Sequence, residues 1–188
     1  MYQIKGTIVG VADILFNRMT EETENSLRTG KTGGKFTDEQ RQVEAMGKYH
    51  KNADGKAVIP GWMFKKVLSE GASKGGLKEQ KRSLAPYILA TVFVNGDVVL
   101  KPSAPNYIHE TTGKRPPRTG GACLIKRPGF RAGWEAKFIL NIIDDRRDAD
   151  QIRRALEEAG ILVGIGSWRP EYGRFIVKDW EVIKENEK

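Results

Sequence analysis

Residues Gly133–Gly160 read GWEAKFILNIIDDRRDADQIRRALEEAG. Trp134, Ala136, Phe138, Leu140 and Ile142 fall on alternate positions, the period of a strand with one buried face. Beyond Asp144 the spacing changes. Ile152, Ala155, Leu156 and Ala159 recur at three and four, the period of a helix with one apolar stripe. Gly160 reads as the stop of that helix, and Asp144-Asp145 as its cap. A change from period 2 to period 3.6 marks a β–α unit. The fold then depends on whether the earlier chain holds a second such unit.

It does. YQIKGTIVGVADILF (2–16) reads as a first strand with Ile4, Thr7, Val9 and Val11 as members. Gly6 and Gly10 within it signal a bulge or a close backbone approach. Asn17–Lys35 is polar and glycine-rich and reads as loop. Thr37 with Gln40 is a capping-box pattern that starts a short helix through Met46. Asp54-Gly55 is a turn, Ala57–Ile59 a short strand, and Pro60 stands near a helix start. Met63, Phe64, Val67 and Leu68 form that helix's apolar face, and Gly75-Gly76 stops it. YILATVFVNGDVVL (87–100) reads as a hairpin turning at Asn95-Gly96. After the quoted stretch, ILVGI (161–165) reads as a buried strand and GRFIVKDWEVI (173–183) as the last one. Phe175 and Val177 are out of phase with Trp180 and Val182, which predicts a bulge near Asp179. The order is a β-α-β-β-α-β arrangement: a ferredoxin-like, RRM-like α+β fold in a single domain, residues 1–188, with two helices on one sheet face.

Hydrophobic residues make up 39% and charged residues 30% of the 188, a soluble, globular balance. No apolar run approaches the ~20 residues of a membrane span, and the first residues lack a signal-peptide layout. Cys123 is the single cysteine, so an intrachain disulfide is excluded and a reducing cytoplasm is the expected compartment. The net charge of +8 favours an anionic partner. Its distribution is uneven. Lys101, Lys114, Arg115, Arg118, Lys126, Arg127 and Arg131 stand against Glu110 alone, so this segment supplies +6. Being rich in Pro, Gly and Thr, 101–131 reads as a basic insertion, a long loop within the domain.

Motifs for chemistry are sparse. Gly30–Thr32 spells Gly-Lys-Thr, but Asn25 occupies the place of a phosphate loop's first glycine. His50 and His109 have no Cys, Asp or Glu at metal-ligand spacing, so no metal and no cofactor is expected. Asp13 and Asp144-Asp145 are the carboxylates most suited to metal-assisted hydrolysis, without a convergent cluster. GIGSWRPEYGRFIV (164–177) is different. Gly164, Gly166 and Gly173 let the backbone approach a ligand and turn N–H groups toward phosphate. Arg169 and Arg174 can pair with phosphates, and Trp168 and Tyr172 offer faces for bases. A tight loop with Trp168 simply buried is the alternative.

Two stretches carry a resemblance. DGKAVIPGWMFKKVL (54–68) resembles the first-helix signature of the RAMP superfamily, the RRM-fold subunits of CRISPR effector complexes. LVGIGSWRPEYGRFIV (162–177) is similar to that superfamily's C-terminal glycine-rich loop, and GVADILFNR (10–18) to the opening strand of its backbone subunits. Departures are Trp62, where the family carries a small hydroxyl residue, and the WRPEYG run itself. The resemblance implies binding of guide RNA by repeated, side-by-side subunits; the expectation is a non-catalytic protein that binds RNA or single-stranded DNA, as a homo-oligomer or as a subunit of a ribonucleoprotein. It makes 101–131 a thumb-like hairpin. The implied contacts are Arg18, His50, Lys51, Lys65 and Lys66 beside the basic insertion and the glycine-rich loop. A metal-independent endonuclease with His50 or a tyrosine as base is the rival reading, as is an inhibitor that mimics a subunit. A phage or mobile-element relative is equally compatible.

Overall fold

In the computed structural model, residues 1–29, 37–79, 81–114, 121–144 and 148–184 are described. The strands are β1 (Tyr2–Gly10), β2 (Ile14–Leu15), β3 (Val58–Ile59), β4 (Lys78–Glu79), β5 (Arg82–Ser83), β6 (Val92–Val94), β7 (Val98–Lys101), β8 (Tyr107–Lys114), β9 (Ala122–Phe130), β10 (Glu135–Ile142) and β11 (Phe175–Lys184). The helices are α1 (Glu21–Thr29), α2 (Asp38–Met46), α3 (Gly61–Lys74), α4 (Ala85–Thr91) and α5 (Ala149–Leu162).

The main sheet runs β11-β1-β10-β7-β3, with β6 also on β10. Along β11-β1-β10-β7 each strand is antiparallel to its neighbour, and α3 and α5 pack together over one face. This is the ferredoxin-like arrangement expected from the alternating periods. The residues that faced inward in the sequence pattern do so here. Trp134, Ala136, Phe138, Leu140 and Ile142 are buried, as are Phe64, Val67 and Leu68 of α3 and Ile152, Ala155, Leu156 and Ala159 of α5. On β1 the core members are Tyr2, Ile4 and Ile8, with Thr7 also buried; of the other expected members, Val9 is half-buried and Val11 lies beyond the strand and is exposed. Gly6 and Gly10 do serve close approach. A Cβ on Gly10 would lie 2.0 Å from the Trp134 indole, and one on Gly6 would overlap Phe138. The bulge is present: Thr7 pairs with Asp179 and Ile8 with Val177, leaving Lys178 as the extra residue. Thr37 caps α2 in a reciprocal capping box with Gln40.

Several local expectations are corrected. Residues 21–29, read as loop, form α1. Residues 85–91 form α4, started by Pro86 in its first turn, so Tyr87–Thr91 is not strand. Here β6 and β7 do not make a two-residue hairpin; both lie along β10, β6 against Leu140–Ile142 and β7 against Glu135 and Ala136. Asp148, not Asp144-Asp145, caps α5, accepting from the Asp150 N–H at 3.1 Å. Gly160 does not end α5, which runs on to Leu162 and takes up the first two residues of the expected ILVGI strand; the other three are not strand either. Gly160 is a packing residue, since a Cβ there would lie 2.1 Å from the Phe175 carbonyl oxygen.

Within the basic segment, the described residues form the hairpin that the resemblance implied and not the long loop that its composition suggested. β8 and β9 pair from Tyr107↔Gly129 to Lys114↔Ala122. The ladder joins the domain through β2, with Ile14 opposite Phe130, in a second sheet β2-β9-β8. The hairpin base thus lies beside the chain that leaves β1.

Candidate nucleic-acid interface

The loop between α5 and β11 is held by its own backbone. Ile165 N–H donates to the Gly173 carbonyl (2.9 Å), Gly173 N–H to the Asp13 carbonyl (2.7 Å) and Ser167 N–H to the Leu15 carbonyl (2.7 Å). Gly164 N–H donates to Ala159 and Tyr172 N–H to Trp168. These N–H groups face protein carbonyls, not an open ligand site. Gly164, Gly166 and Gly173 all have positive φ. A Cβ on Gly173 would lie 1.7 Å from the Ile165 oxygen, and one on Gly166 2.4 Å from the Leu15 oxygen. The glycines serve contact of backbone with backbone.

What the loop presents is its tip. Trp168 and Tyr172 stack on one another, with centroids 6.0 Å apart and planes at 21°. His109 of β8 meets both edge-on, at 5.4 Å from Trp168 and 5.3 Å from Tyr172. Arg127, opposite His109 in the hairpin, holds its guanidinium carbon 4.6 Å from the centre of the Trp168 ring. Trp168 remains 45% exposed, and residues 168–172 line a groove of about 360 Å³. Hairpin and loop, which join residues some 40 and 60 positions apart, therefore form one aromatic and cationic patch. The sequence alone does not assign His109 to this patch. Its partners lie far along the chain, and no local signal links them.

Beneath the patch, Asp13 ties the parts together. Its carboxylate accepts from the Tyr107 hydroxyl (2.7 Å), the Ala132 N–H (2.8 Å) and the Arg131 guanidinium (3.2 Å). Burial pushes the Asp13 carboxyl up, but these donors outweigh it and hold the group below the usual carboxylate value. Burial and then the bond to Asp13 push the Tyr107 hydroxyl up. Asp13 is thus fully engaged in structure. So are several expected phosphate contacts. Arg131 pairs with Asp13 and lies over the Tyr107 ring at 3.9 Å. Lys126 pairs with Glu110 at 2.9 Å, and Arg169 with Glu70 of α3 at 2.9 Å. Arg174 is exposed, with its Nε donating to the Pro170 carbonyl at 2.7 Å.

The remaining expected contacts gather elsewhere. His50 meets Phe16 and the 64%-exposed Trp62 edge-on, at 6.2 and 6.5 Å. Burial, then the charge of Arg18, lowers its pKa. Lys51 lies over Tyr49 and Lys65 over Phe93, while Lys66 is exposed. The first N–H of α3, at Gly61, donates to the Asp97 carboxylate at 3.0 Å. Trp62 belongs to this second patch. Of Lys114 the backbone closes the hairpin ladder, whereas Arg115, Arg118 and the Gly30–Thr32 run lie outside the described residues. Among the described residues, no three His, Cys, Asp or Glu side chains converge on a metal position. No helix is long and apolar enough to cross a membrane.

The sheet order, the two covering helices and the added hairpin define an RRM-like fold of the kind the two motifs resembled. Solved structures carry the same likeness. A chain of the cryo-EM structure of type III-B Cmr-beta bound to cognate target RNA is 16% identical, with a TM-score of 0.60. The match covers 97% of this chain and 61% of that one. A chain of the Csm3-Csm4 subcomplex in the type III-A CRISPR-Cas interference complex is 17% identical over 96% of this chain and 77% of that one, with a TM-score of 0.43. With a TM-score of 0.60, the likeness to the Cmr-beta chain is one of fold. No protein-family model and no curated protein matches the sequence.

Proposed function

We propose that the chain is a non-catalytic subunit of a CRISPR-type ribonucleoprotein that binds single-stranded RNA where the β8–β9 hairpin meets the Gly164–Arg174 loop. The observation that carries this reading is the junction itself: exposed Trp168, half-buried Tyr172 and His109, and buried Arg127 come from three distant stretches to form one cluster. Aromatic faces beside cations suit bases and backbone of a single strand. The segment 101–131, which contains this hairpin, supplies +6 of the net charge of +8. The fold shared with the Cmr-beta chain supports a place among side-by-side subunits.

The test is titration of a fluorescent single-stranded RNA at several salt concentrations. Contact with about six to eight phosphates predicts an affinity loss of ~10³-fold or more between 50 and 200 mM salt. Lys114, Arg115 and Arg118 replaced together by Ala are expected to weaken binding sharply. A thermal melt of the triple variant is the control for folding. A flat salt response, or unchanged affinity in the triple variant, refutes the reading. Cleavage of the RNA on a metal-free denaturing gel refutes its non-catalytic part. Sizing with and without RNA separates a free subunit from an assembling one.

A further inference from the structure

Arg127 is buried to 9% exposure, and neither its Nε nor its Nη1 meets an acceptor. A guanidinium keeps its charge under protein conditions. Its neighbours do not neutralise it: the residue opposite is His109, the nearby Glu110 is taken by Lys126, and the ring at its face is Trp168. A cation over an aromatic ring recovers part of the lost hydration, not all. The covering residue is itself strained. Trp168 has φ +61, a left-handed conformation that a bulky side chain rarely adopts. Two costs of folding thus converge on a single contact, and its Trp168 is one of the residues that line a groove of about 360 Å³ with Arg169–Tyr172. Unfavourable features kept together in this way belong to working sites.

We infer that Arg127 is the receptor for the phosphate of one nucleotide, whose base stacks on Trp168 and Tyr172. This rests on the RNA-binding reading and names the unit of the strand that it holds. The donors at Nε and Nη1 have no solvent contact, so Trp168 shifts to admit the phosphate. The groove's volume lies at the lower end of small-ligand sites, which suits one nucleotide and not a duplex. A phosphate supplies both the charge and the acceptors that Arg127 lacks.

The direct test is side-chain ¹⁵N NMR of the whole protein, with the Arg127 Nε signal identified by its loss in Arg127→Lys. Adenosine 5′-monophosphate, adenosine and inorganic phosphate are titrated separately. A saturable shift of that signal with the monophosphate, absent with adenosine and weaker with inorganic phosphate, is expected. An equal shift with adenosine overturns the phosphate assignment. No shift up to roughly 10 mM monophosphate, beyond the millimolar affinity expected of one nucleotide, overturns the site. Stability supplies the second readout. Arg127→Met removes an unpaired buried charge, so the free protein is expected to gain about 2–4 °C in Tm. Its RNA affinity should fall by ~10-fold or more, and that of Arg127→Lys likewise, since Lys keeps the charge without the fork. A lower Tm for Arg127→Met makes the guanidinium a structural group and overturns the inference. If the parent binds no RNA while the monophosphate still moves the Nε signal, the RNA reading fails and this site stands. If RNA binds with that signal unmoved and Arg127→Met binds like the parent, this site fails and the RNA reading stands.

Discussion

Gly173 and Gly55 offer a matched pair for testing what holds the α5–β11 loop. Both have φ +76. Around a Cβ on Gly55 nothing lies within 4 Å, whereas a Cβ on Gly173 would lie 1.7 Å from the Ile165 oxygen and 2.6 Å from its nitrogen. Gly55→Ala therefore meets only the left-handed backbone cost, about 1 kcal/mol. Gly173→Ala meets the same cost and must also open the loop, because ordinary contact begins near 3.4 Å. Opening it breaks the Ile165–Gly173 and Gly173–Asp13 bonds of 2.9 and 2.7 Å. At about 1 kcal/mol each, these bring the loss to roughly 3–4 kcal/mol. In a chain of this size that is a fall in Tm of about 6–16 °C, against about 2–4 °C for Gly55→Ala. Thermal melts checked by urea unfolding measure both. Equal losses in the two variants, within about 0.5 kcal/mol, would refute the claim that backbone crowding requires glycine at 173.

Trp168→Ala should cost only about 1–2 kcal/mol in stability, because the ring is half exposed, yet weaken RNA binding by roughly 1–3 kcal/mol, the worth of one stacked base; the melt and the RNA titration read these separately, and a stability loss without a binding loss makes Trp168 a structural residue. Asp13 contributes stability that is present above its unfolded pKa near 3.8 and is lost as pH falls through the lower folded value. Asp13→Asn should therefore flatten the acid side of the stability–pH curve below about pH 4, and an unaltered curve rejects the assigned pairing. A double-mutant cycle on Arg169→Ala and Glu70→Ala should return a coupling of about 0.5–1 kcal/mol, as for a partly exposed pair; a larger loss of RNA binding than of stability in Arg169→Ala would instead make it a direct contact.

The elements that obeyed one period were legible. β10 and α5 could be read residue by residue, because each buries one face against a continuous core. The bulge showed itself as a phase change between Val177 and Trp180. Short apolar runs were not decided by local pattern. Tyr87–Thr91 is rich in strand-forming types yet is helical, held by Tyr87 Oη donating to the Asp144 carbonyl and by Ser69 Oγ donating to that of Ala85. Gly160 looked like a helix stop because sequence does not reveal that Phe175 returns against it. At the candidate interface the residue types were visible, but their partners were not. Arg169 and Arg131 resembled free phosphate contacts until Glu70 and Asp13 were found beside them. Arg127 looked like one more charge in a basic run. Its burial follows from the pairing of β8 with β9 and the return of the distant loop over that ladder.

Asp13 also bears on how such a chain can diversify. The base of the hairpin is fixed by Asp13 to Tyr107 and Ala132 and by Ile14 opposite Phe130, while the same residue's carbonyl fixes the loop through Gly173. None of these contacts involves a residue outward of the Glu110–Lys126 pair. The outer half is therefore an exchangeable module. Descendants with longer, shorter or differently charged tips would inherit the groove at Trp168 unchanged, and a designer can graft a new tip without rebuilding the floor beneath it.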